Sequence, residues 1–464
     1  MNMLPMTLGD AARAMSGRLI AGEKAAQREI VHVVSDSREA VPGALFFCFR
    51  GERVNGSDYI ADAFARGAIC AVTTEKDAIP ESSDAMGAYI LVASVEAALA
   101  ALAAYYRMGL RVPVIGVVGS VGKTTAKEMT AAVLSERYSV LKTHGNLNNE
   151  IGAPLTVLKI GSGHNAAVIE MGISDFGEMT RLASVVRPDI CIITAIGRCH
   201  LEKLGSLNGV LRAKSEVFPL MPENGVAILN GDDALLRKHN TGRKTVTFGT
   251  VESCDWRAEN ITTAATRSIA FDIISPRGER ARAEIPAYGT HLVYAALSAA
   301  AVGSRLGLSL REIIDGLAKY RPVDGRANVI EAGALTIIDD CYNANPNSMA
   351  AALCSLAALK TRRTAILGDM RELGSASAAA HREIGELAGR LGIDCLICCG
   401  ENAELIFKGF IGSGAEAEAY HFPFREALFE KLPELTKKGG AVLVKASHSE
   451  KFDEITARLR ELWQ

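Results

Sequence analysis

A glycine-rich turn between an apolar run and a polar, helix-like stretch is the first feature that could do chemistry. Residues 114–129 read VIGVVGSVGKTTAKEM. Backbone N–H groups in such a turn, at the start of a helix, bind phosphate through hydrogen bonds and the helix dipole. The strict G-x-x-x-x-G-K-[ST] spacing is absent because Val117 occupies the place of the first glycine. A tight turn with an exposed lysine is the simpler alternative, but the flanking strand and helix patterns favour a nucleotide site.

Each residue type in this turn suits a phosphate ligand. Gly119 and Gly122 allow the backbone to approach the phosphates closely. Lys123 can reach the β- and γ-phosphates, and the Thr124 hydroxyl can ligate Mg²⁺. The sequence therefore predicts that the nucleotide is bound by the whole turn: Gly119, Ser120, Val121, Gly122, Lys123, Thr124 and Thr125.

Other chemical groups follow the apolar runs expected to be parallel strands. Glu170 ends one run and His200 follows another, so both belong at the sheet edge where α/β proteins bind ligands. A carboxylate beside a phosphate loop is a natural Mg²⁺ partner. Taken alone, Glu170 is better explained as a solvated acid at a strand end, His200 as a structural histidine, and Lys214, in a helical pattern, as a surface lysine.

Two segments rich in asparagine indicate polar ligand sites. Residues 142–154 hold three asparagines among glycines, which would be costly to bury without partners. Residues 337–349 read IIDDCYNANPNSM, where Asp340 could accept from ribose hydroxyls and Tyr342 could pack on a base. An ordinary loop, or an Asp/Asn turn capping a helix, explains part of each pattern. We expect Asn148 to contact nucleotide, and substrate to be contacted by Asn146, Asn149 and Asn343.

Composition narrows the class of protein. A chain of 464 residues with 22% charged residues is a globular protein of two or three domains. A net charge of −2 gives no reason to expect nucleic-acid binding through a basic face. The ten cysteines indicate reduced thiols rather than a disulfide framework, and Cys395 and Cys398 should face opposite sides of one buried strand. The start shows no signal-peptide pattern and no stretch suits a membrane span, so we expect a cytoplasmic protein.

Three segments follow one another along the chain. The first is small, with short strands, glycine turns and no phosphate loop. The second opens with the phosphate loop and alternates strands with helices, as a parallel α/β sheet requires. The third begins near residues 320–326 and repeats that alternation as a second wound α/β unit.

Taken in order over nearly the whole chain, the motifs GSVGKTT, THGNLNNEIGAP, DDCYNANPNSM and ILGDMRELG resemble the Mur ligase family. The resemblance implies an α/β protein of three domains: a UDP-substrate domain over 1–97, a central P-loop ATPase domain over 98–321, and a Rossmann-like ligase domain over 322–464. It implies an ADP-forming amide ligase that joins D-Ala-D-Ala to UDP-N-acetylmuramoyl-tripeptide through an acyl phosphate, in peptidoglycan precursor synthesis. ATP and Mg²⁺ are the implied cofactors, and we expect a monomer with no nucleic-acid or membrane partner.

The same resemblance implies roles for individual residues. Mg²⁺ would be held by Thr124, Glu170, His200 and Lys214, the last carried as a carbamate derived from CO₂. Arg326 would contact ATP from the C-terminal domain, with Asp340 near the ribose. The implied catalytic set is Lys123, Glu170, His200, Lys214 and Arg326. The UDP end of the substrate would meet the SDSR motif: Ser35, Asp36, Ser37 and Arg38.

The chain departs from the family pattern at several positions. His291 is kept, but Leu292 and Ala295 stand where the family has asparagines that contact adenine. Asn55 and Ser57 replace a common Asp and His in the first domain, and Ala446 replaces a common Gly. Two alternatives stay open: a related ligase for another amino acid or acceptor, and a nucleotide-binding switch or assembly ATPase. The absence of an N-K-x-D guanine motif weakens the GTPase form of the second.

Overall fold

In a computed structural model that describes residues 3–22, 24–80 and 87–463, the strands form three sheets, one in each successive part of the chain. The N-terminal part carries a sheet of order β1-β5-β4-β3-β2, in which only β1 runs antiparallel to its neighbour. Its elements are α1 (Leu8–Ala14), β1 (Arg18–Ile20), β2 (His32–Val34), β3 (Ala44–Phe47), α2 (Ile60–Ala65), β4 (Ala68–Thr73), β5 (Ala88–Leu91) and α3 (Val95–Gly109).

The central part holds the largest sheet, of order β14-β13-β12-β11-β10-β9-β6-β8-β7. Its first elements are β6 (Val114–Val118), α4 (Lys123–Leu134), β7 (Val140–Lys142), α5 (Gly152–Leu158), β8 (Ala166–Glu170), α6 (Glu178–Val186), β9 (Ile190–Ile193), α7 (Leu201–Leu204) and α8 (Leu207–Ser215). Then come β10 (Val226–Asn230), α9 (Ala234–Arg237), β11 (Lys244–Gly249), β12 (Trp256–Ala264), β13 (Ser268–Ile274), β14 (Arg280–Ile285), α10 (Leu292–Arg305) and α11 (Leu310–Ala318).

The far edge of the central sheet is an antiparallel extension that the strand–helix alternation does not predict. Strands β12, β13 and β14 pair antiparallel, whereas the strands from β7 to β12 pair in parallel. The physical reason lies in burial. Every residue of β6, β8 and β10 is buried, as helices on both faces require, whereas β13 and β14 alternate buried with more exposed residues.

The C-terminal part is a wound sheet of order β15-β16-β20-β17-β18-β19, parallel except for β15. Cys395 and Cys398 are free thiols that belong to the apolar clusters on opposite faces of this sheet, as the alternation of a strand predicts. The elements are β15 (Asn328–Ala332), β16 (Leu335–Asp339), α12 (Pro346–Ala357), β17 (Arg363–Gly368), α13 (Ser377–Arg390), β18 (Cys395–Cys399), α14 (Ala403–Gly412), β19 (Glu418–Phe422), α15 (Arg425–Thr436), β20 (Gly440–Lys445) and α16 (Asp453–Trp463).

Helix α3 joins the N-terminal and central parts. It packs on α1 of the first part and on α5 and α6 of the second, so one apolar cluster runs continuously through both. Arg107, which is 8% exposed, projects from this helix to the carboxyl end of α6. Its guanidinium donates to the carbonyls of Val186 and Arg187, each at 2.9 Å, and to Asp189 at 2.9 Å.

No helix in the described part of the chain combines the length and the apolar character needed to cross a bilayer. The boundaries at 97/98 and 321/322 stay predictions. The three sheets fit within them, since β5 ends at Leu91 and β15 begins at Asn328.

Replacing Arg107 with Met should lower the melting temperature, because the two carbonyls at the end of α6 lose their donor. Such a loss costs about 2 kcal/mol when the groups stay buried. Thermal unfolding followed by fluorescence measures the shift. Arg311→Met is the matched control, because Arg311 is 92% exposed and its nearest carboxylate oxygen lies 3.9 Å away. Equal melting temperatures for the two variants would contradict the role given to Arg107.

Candidate active site

The glycine turn joins β6 to α4 and presents backbone N–H groups at the start of a helix of 12 residues. Gly119 has φ of +152°, and a Cβ there would collide with the Thr194 hydroxyl. Gly122 caps α4 with φ of +76°, a conformation that favours glycine. The Lys123 ammonium donates to the Gly119 carbonyl at 3.0 Å, which closes the turn into a ring. This is the geometry that binds phosphate.

Glu170 is the centre of the polar contacts beside this turn. Its side chain is 2% exposed at the end of β8. One carboxylate oxygen accepts from the Thr124 hydroxyl at 3.1 Å, and the other accepts from the Asn148 amide at 2.8 Å. The structure thus brings together three residues that the sequence placed in separate motifs.

Lys127 also belongs to this site, although the sequence motifs do not predict it. Its side chain is 1% exposed, and its ammonium donates to the carbonyls of Thr143 at 2.8 Å and Gly145 at 3.3 Å. The same ammonium lies 3.8 Å from Glu170 and 3.1 Å from Glu128. Its position three residues after Thr124, on the buried face of α4, was the available signal.

His200 faces the third sheet across a domain boundary. The residue precedes α7 with φ of +50°. Its Nδ1 is shielded from solvent and lies 2.6 Å from a carboxylate oxygen of Glu372, at an angle outside hydrogen-bond geometry. The contact with His200 lowers the pKa of the Glu372 carboxyl. Glu372 belongs to the motif ILGDMRELG. The sequence predicts no role for this residue.

Lys214 lies in α8 and is 1% exposed. Burial lowers the pKa of its ammonium to about 8, with a smaller lowering from the charge of Lys123 and an opposing effect of Cys199. Lys214 is therefore not the surface lysine that its helical pattern alone suggests. It is also not among the residues that line the cleft described below.

The C-terminal sheet contributes a second polar group. The Arg326 guanidinium stacks on the Tyr342 ring, 3.9 Å from its centroid. Asp340 accepts from the buried Lys445 ammonium at 2.6 Å and from the Ala327 backbone N–H at 3.1 Å. Lys445 is 2% exposed and was not predicted from the sequence.

A cleft of about 1210 Å³ connects these groups. Helix α3, the central sheet and the C-terminal sheet all contribute to its walls. Fifteen residues predicted from the sequence line it, namely Ser120, Val121, Gly122, Lys123, Thr124, Thr125, Asn146, Asn148, Asn149, Glu170, His200, Arg326, Asp340, Tyr342 and Asn343. Among these, Asn149 also holds the start of α5, since its side-chain oxygen accepts from the Gly152 N–H at 2.8 Å.

The SDSR motif lies away from this cleft. Asp36 pairs with Arg38 and also accepts from the Arg38 N–H at 2.9 Å. These hydrogen bonds lower the pKa of the Asp36 carboxyl to about 2. Ser35, Asp36, Ser37 and Arg38 are all absent from the lining of the cleft, so any contact of this motif with a ligand is made at a separate place on the N-terminal domain.

The cleft has an apolar end where the family pattern is broken. Leu292 and Ala295 line it with Phe248, and His291 stands beside them in the cleft wall. The polar side chains nearby are hydrogen-bonded within the protein. The Asn230 amide donates to the Thr194 carbonyl at 3.0 Å, and the Tyr294 hydroxyl donates to Asp232 at 2.9 Å. This end therefore offers apolar surface rather than free side-chain amides.

A divalent cation finds suitable oxygen donors in the Thr124 hydroxyl and the Glu170 carboxylate, which lie beside the phosphate-binding turn. Within the described residues, no three His, Cys, Asp or Glu side chains are grouped as a complete metal site. A cation held here would share its coordination with phosphate oxygens and water, as Mg²⁺ commonly does.

Three protein-family models match successive parts of the chain. They are described as "Mur ligase family, catalytic domain" for residues 29–107, "Mur ligase middle domain" for 117–303, and "Mur ligase, glutamate ligase domain" for 325–448.

Curated relatives match over almost the whole chain. The UDP-N-acetylmuramoyl-tripeptide–D-alanyl-D-alanine ligase of Escherichia coli is 35% identical over 99% of both chains. The ligase of the same name from Bacillus subtilis is 34% identical, again over 99% of both.

Solved structures show the same arrangement. MurF from Acinetobacter baumannii superposes with a TM-score of 0.88 at 30% identity, covering 99% of this chain and all of that one. MurF ligase from Thermotoga maritima, solved in complex with ADP, gives 0.81 at 28% identity, covering 93% of this chain and 97% of that one.

Replacing Lys127 with Met should destabilise the protein and weaken ADP binding. The change leaves the buried Glu170 carboxylate without its cation and two carbonyls without a donor. The free energy of unfolding should therefore fall by about 3 kcal/mol. Chemical denaturation and titration calorimetry with ADP measure the two effects. Lys142→Met is the control, because Lys142 pairs with the same Glu128 but is 46% exposed. Stability equal to that of the control would contradict the role of Lys127.

Proposed function

This chain belongs to the Mur ligase family, and we propose that it is an ATP-dependent ligase joining D-alanyl-D-alanine to UDP-N-acetylmuramoyl-tripeptide. One observation carries the proposal: a phosphate-binding turn, a buried carboxylate and an arginine from another domain line one cleft in a chain that matches ligases of this activity end to end. ADP and phosphate are the other products. The product is a precursor of peptidoglycan.

The phosphate-binding turn holds ATP in this proposal. The N–H groups at the start of α4 donate hydrogen bonds to the phosphate oxygens. The Lys123 ammonium, which donates to the Gly119 carbonyl in the free protein, donates instead to the β- and γ-phosphates. Arg326, which lines the same cleft, adds positive charge from the C-terminal part of the chain. Together these cations offset the charge that spreads over the oxygens of the transferring phosphoryl group.

Asp340 and Tyr342 contact the nucleoside from the C-terminal side. The pairing of Asp340 with Lys445 fixes the carboxylate and leaves it lone pairs for a ribose hydroxyl. Leu292, Ala295 and Phe248 provide apolar contact for the base in place of the amides that the family commonly uses.

Thr124 and Glu170 would hold Mg²⁺ at the phosphates, with His200 nearby on the cleft wall. When bound, Mg²⁺ neutralises phosphate charge and orients the terminal phosphoryl group. The contacts of Glu170 with Thr124 and Asn148 set its carboxylate in place before the nucleotide arrives.

The reaction needs activation because a carboxylate has no good leaving group. Transfer of the γ-phosphoryl group to the terminal carboxylate of the tripeptide forms an acyl phosphate and releases ADP. The amine of D-Ala-D-Ala then attacks the acyl carbon, a C–N bond forms, and phosphate leaves as the amine loses its proton. Lys123 and Arg326 both line the cleft, and in this proposal their charges stabilise the oxyanion of that step.

The long UDP substrate would span two domains. Its UDP end meets Ser35, Asp36, Ser37 and Arg38, outside the cleft. Its peptide end reaches the cleft beside α3, where Asn146, Asn149 and Asn343 supply hydrogen-bonding groups. The separation of the two sites is consistent with a substrate that carries a nucleotide at one end and a peptide at the other.

Lys214 is carried as a carbamate in this proposal. Its neutral amine attacks CO₂, a C–N bond forms and a proton is lost, which turns a cation into an anion able to help hold a second Mg²⁺. Burial and a pKa of about 8 favour the neutral amine that this reaction requires. We further propose that the protein acts as a cytoplasmic monomer on these small-molecule substrates, without nucleic acid.

An ADP-release assay across amine and UDP-substrate pairs tests the activity. ADP should form at a high rate only when ATP, UDP-N-acetylmuramoyl-tripeptide and D-Ala-D-Ala are all present, because an acyl phosphate held without an amine is not consumed. Single amino acids in place of D-Ala-D-Ala serve as controls for another ligase of the family. ADP release that ignores both substrates would point to a nucleotide-binding ATPase and contradict the proposal.

Lys214→Ala tests the carbamate. We expect activity to fall by about 100-fold or more and added bicarbonate to leave it unchanged. With ¹³C-bicarbonate, the parent protein should show a carbamate resonance that is stronger at about pH 8.5 than at about pH 6.5, since only the neutral amine reacts. Near-parental activity of the variant would contradict the role, as would an identical resonance in its spectrum.

A further inference from the structure

The segment of residues 196–204, which follows β9 and includes His200, is bonded to the phosphate-binding turn. The Gly197 N–H donates to the Ser120 hydroxyl at 2.9 Å, and that hydroxyl lies 3.3 Å from the Gly197 carbonyl. The Ile196 N–H donates to Asp233 at 2.7 Å. A displacement of this segment would therefore break or shift the hydrogen bonds of Ser120 in the nucleotide site.

The opposite side of the 196–204 segment is held by the C-terminal domain. The Arg198 N–H donates to the Asn347 side chain at 2.9 Å, and the Arg198 guanidinium pairs with Glu383 at 2.7 Å. Glu202 packs against Gly374, where an added Cβ would lie 3.1 Å from the Glu202 Cα. One short segment is thus in contact with the phosphate-binding turn and with a different domain.

His200 and Glu372 meet in the middle of this contact. The imidazole Nδ1 lies 2.6 Å from the Glu372 carboxylate, and His200 also lines the cleft. Both residues adopt left-handed backbone conformations, with φ of +50° for His200 and +61° for Glu372. Positive φ is uncommon outside glycine, so these conformations persist where surrounding contacts hold them.

We propose that Glu372 is a positioning residue that holds the His200 imidazole in the nucleotide cleft when the C-terminal domain docks on the 196–204 segment. The Glu372 carboxylate, 2.6 Å from Nδ1, favours a proton on that nitrogen through its charge and limits rotation of the ring, which leaves the other nitrogen available for a ligand. The phosphate site is then complete only with the C-terminal domain in place. What the completed site does rests on the proposed function.

The contact between His200 and Glu372 adds little to the free energy of unfolding, because the Glu372 side chain is 57% exposed. Ion pairs at such exposure contribute little to folding. The neighbouring pair of Arg198 and Glu383 has similar exposure, at 38% and 50%, and joins the same segment to the same domain. It does not involve His200, so it provides a matched control for docking alone.

The experiment compares Glu372→Gln, Glu372→Asp and Glu383→Gln in the full-length protein. Calorimetry with ADP, with and without Mg²⁺, should show that Glu372→Gln loses about tenfold in affinity only when Mg²⁺ is present. Glu383→Gln should change either affinity by less than about twofold. Glu372→Asp should recover part of the loss, because it keeps the carboxylate.

Two further readouts separate positioning from a structural effect. The ¹⁵N shifts of the His200 imidazole, which report its tautomer, should change in Glu372→Gln and stay at parental values in Glu383→Gln. In the ligase assay, which contains Mg²⁺, Glu372→Gln should lower kcat by about 10- to 100-fold and raise the KM for ATP by about tenfold, whereas Glu383→Gln should leave both near their parental values.

Equal behaviour of Glu372→Gln and Glu383→Gln would overturn the proposal, as would parental imidazole shifts in Glu372→Gln. The calorimetric and NMR measurements need no turnover. They therefore decide the role of Glu372 even if the assay identifies a reaction other than the proposed one.

Discussion

The buried carboxylate of Glu170 is the constraint on which the site depends. A charge taken out of water must be paired and hydrogen-bonded. Lys127 supplies the opposite charge, and Thr124 and Asn148 supply the hydrogen bonds. These partners come from α4 and from the loop before α5, so satisfying one carboxylate fixes the phosphate-binding turn against the asparagine-rich loop.

The cleft is a product of domain arrangement. Helix α3, anchored by Arg107 to the end of α6, packs the N-terminal part of the chain against helices of the central part. The C-terminal sheet brings Arg326 and the pair of Asp340 with Lys445 to the same cleft. Reaction chemistry that must exclude water suits a cleft between domains, because docking can cover the reactants after they bind.

Several parts of the site could be predicted because their chemistry is local. The turn around Gly119 and Gly122 is encoded in consecutive residues, and so is the strand that ends at Glu170. Lys127, Lys445 and Glu372 could not be assigned in this way. Each is a common charged residue whose role depends on a partner distant in sequence, such as Glu170 for Lys127 and His200 for Glu372. The antiparallel strands β12–β14 were missed because alternation of strands and helices describes only the parallel part of the sheet.

By itself the sequence determined the α/β class, the phosphate-binding turn and the family, because these depend on residue order and spacing. Tertiary structure alone decided which side chains are buried and which charges face one another. It made Lys214 a buried amine, paired Asp340 with Lys445, and kept the SDSR motif away from the cleft. The physical reason is that burial and electrostatic pairing depend on distances in space between residues far apart in the chain, which neither periodicity nor a short motif contains.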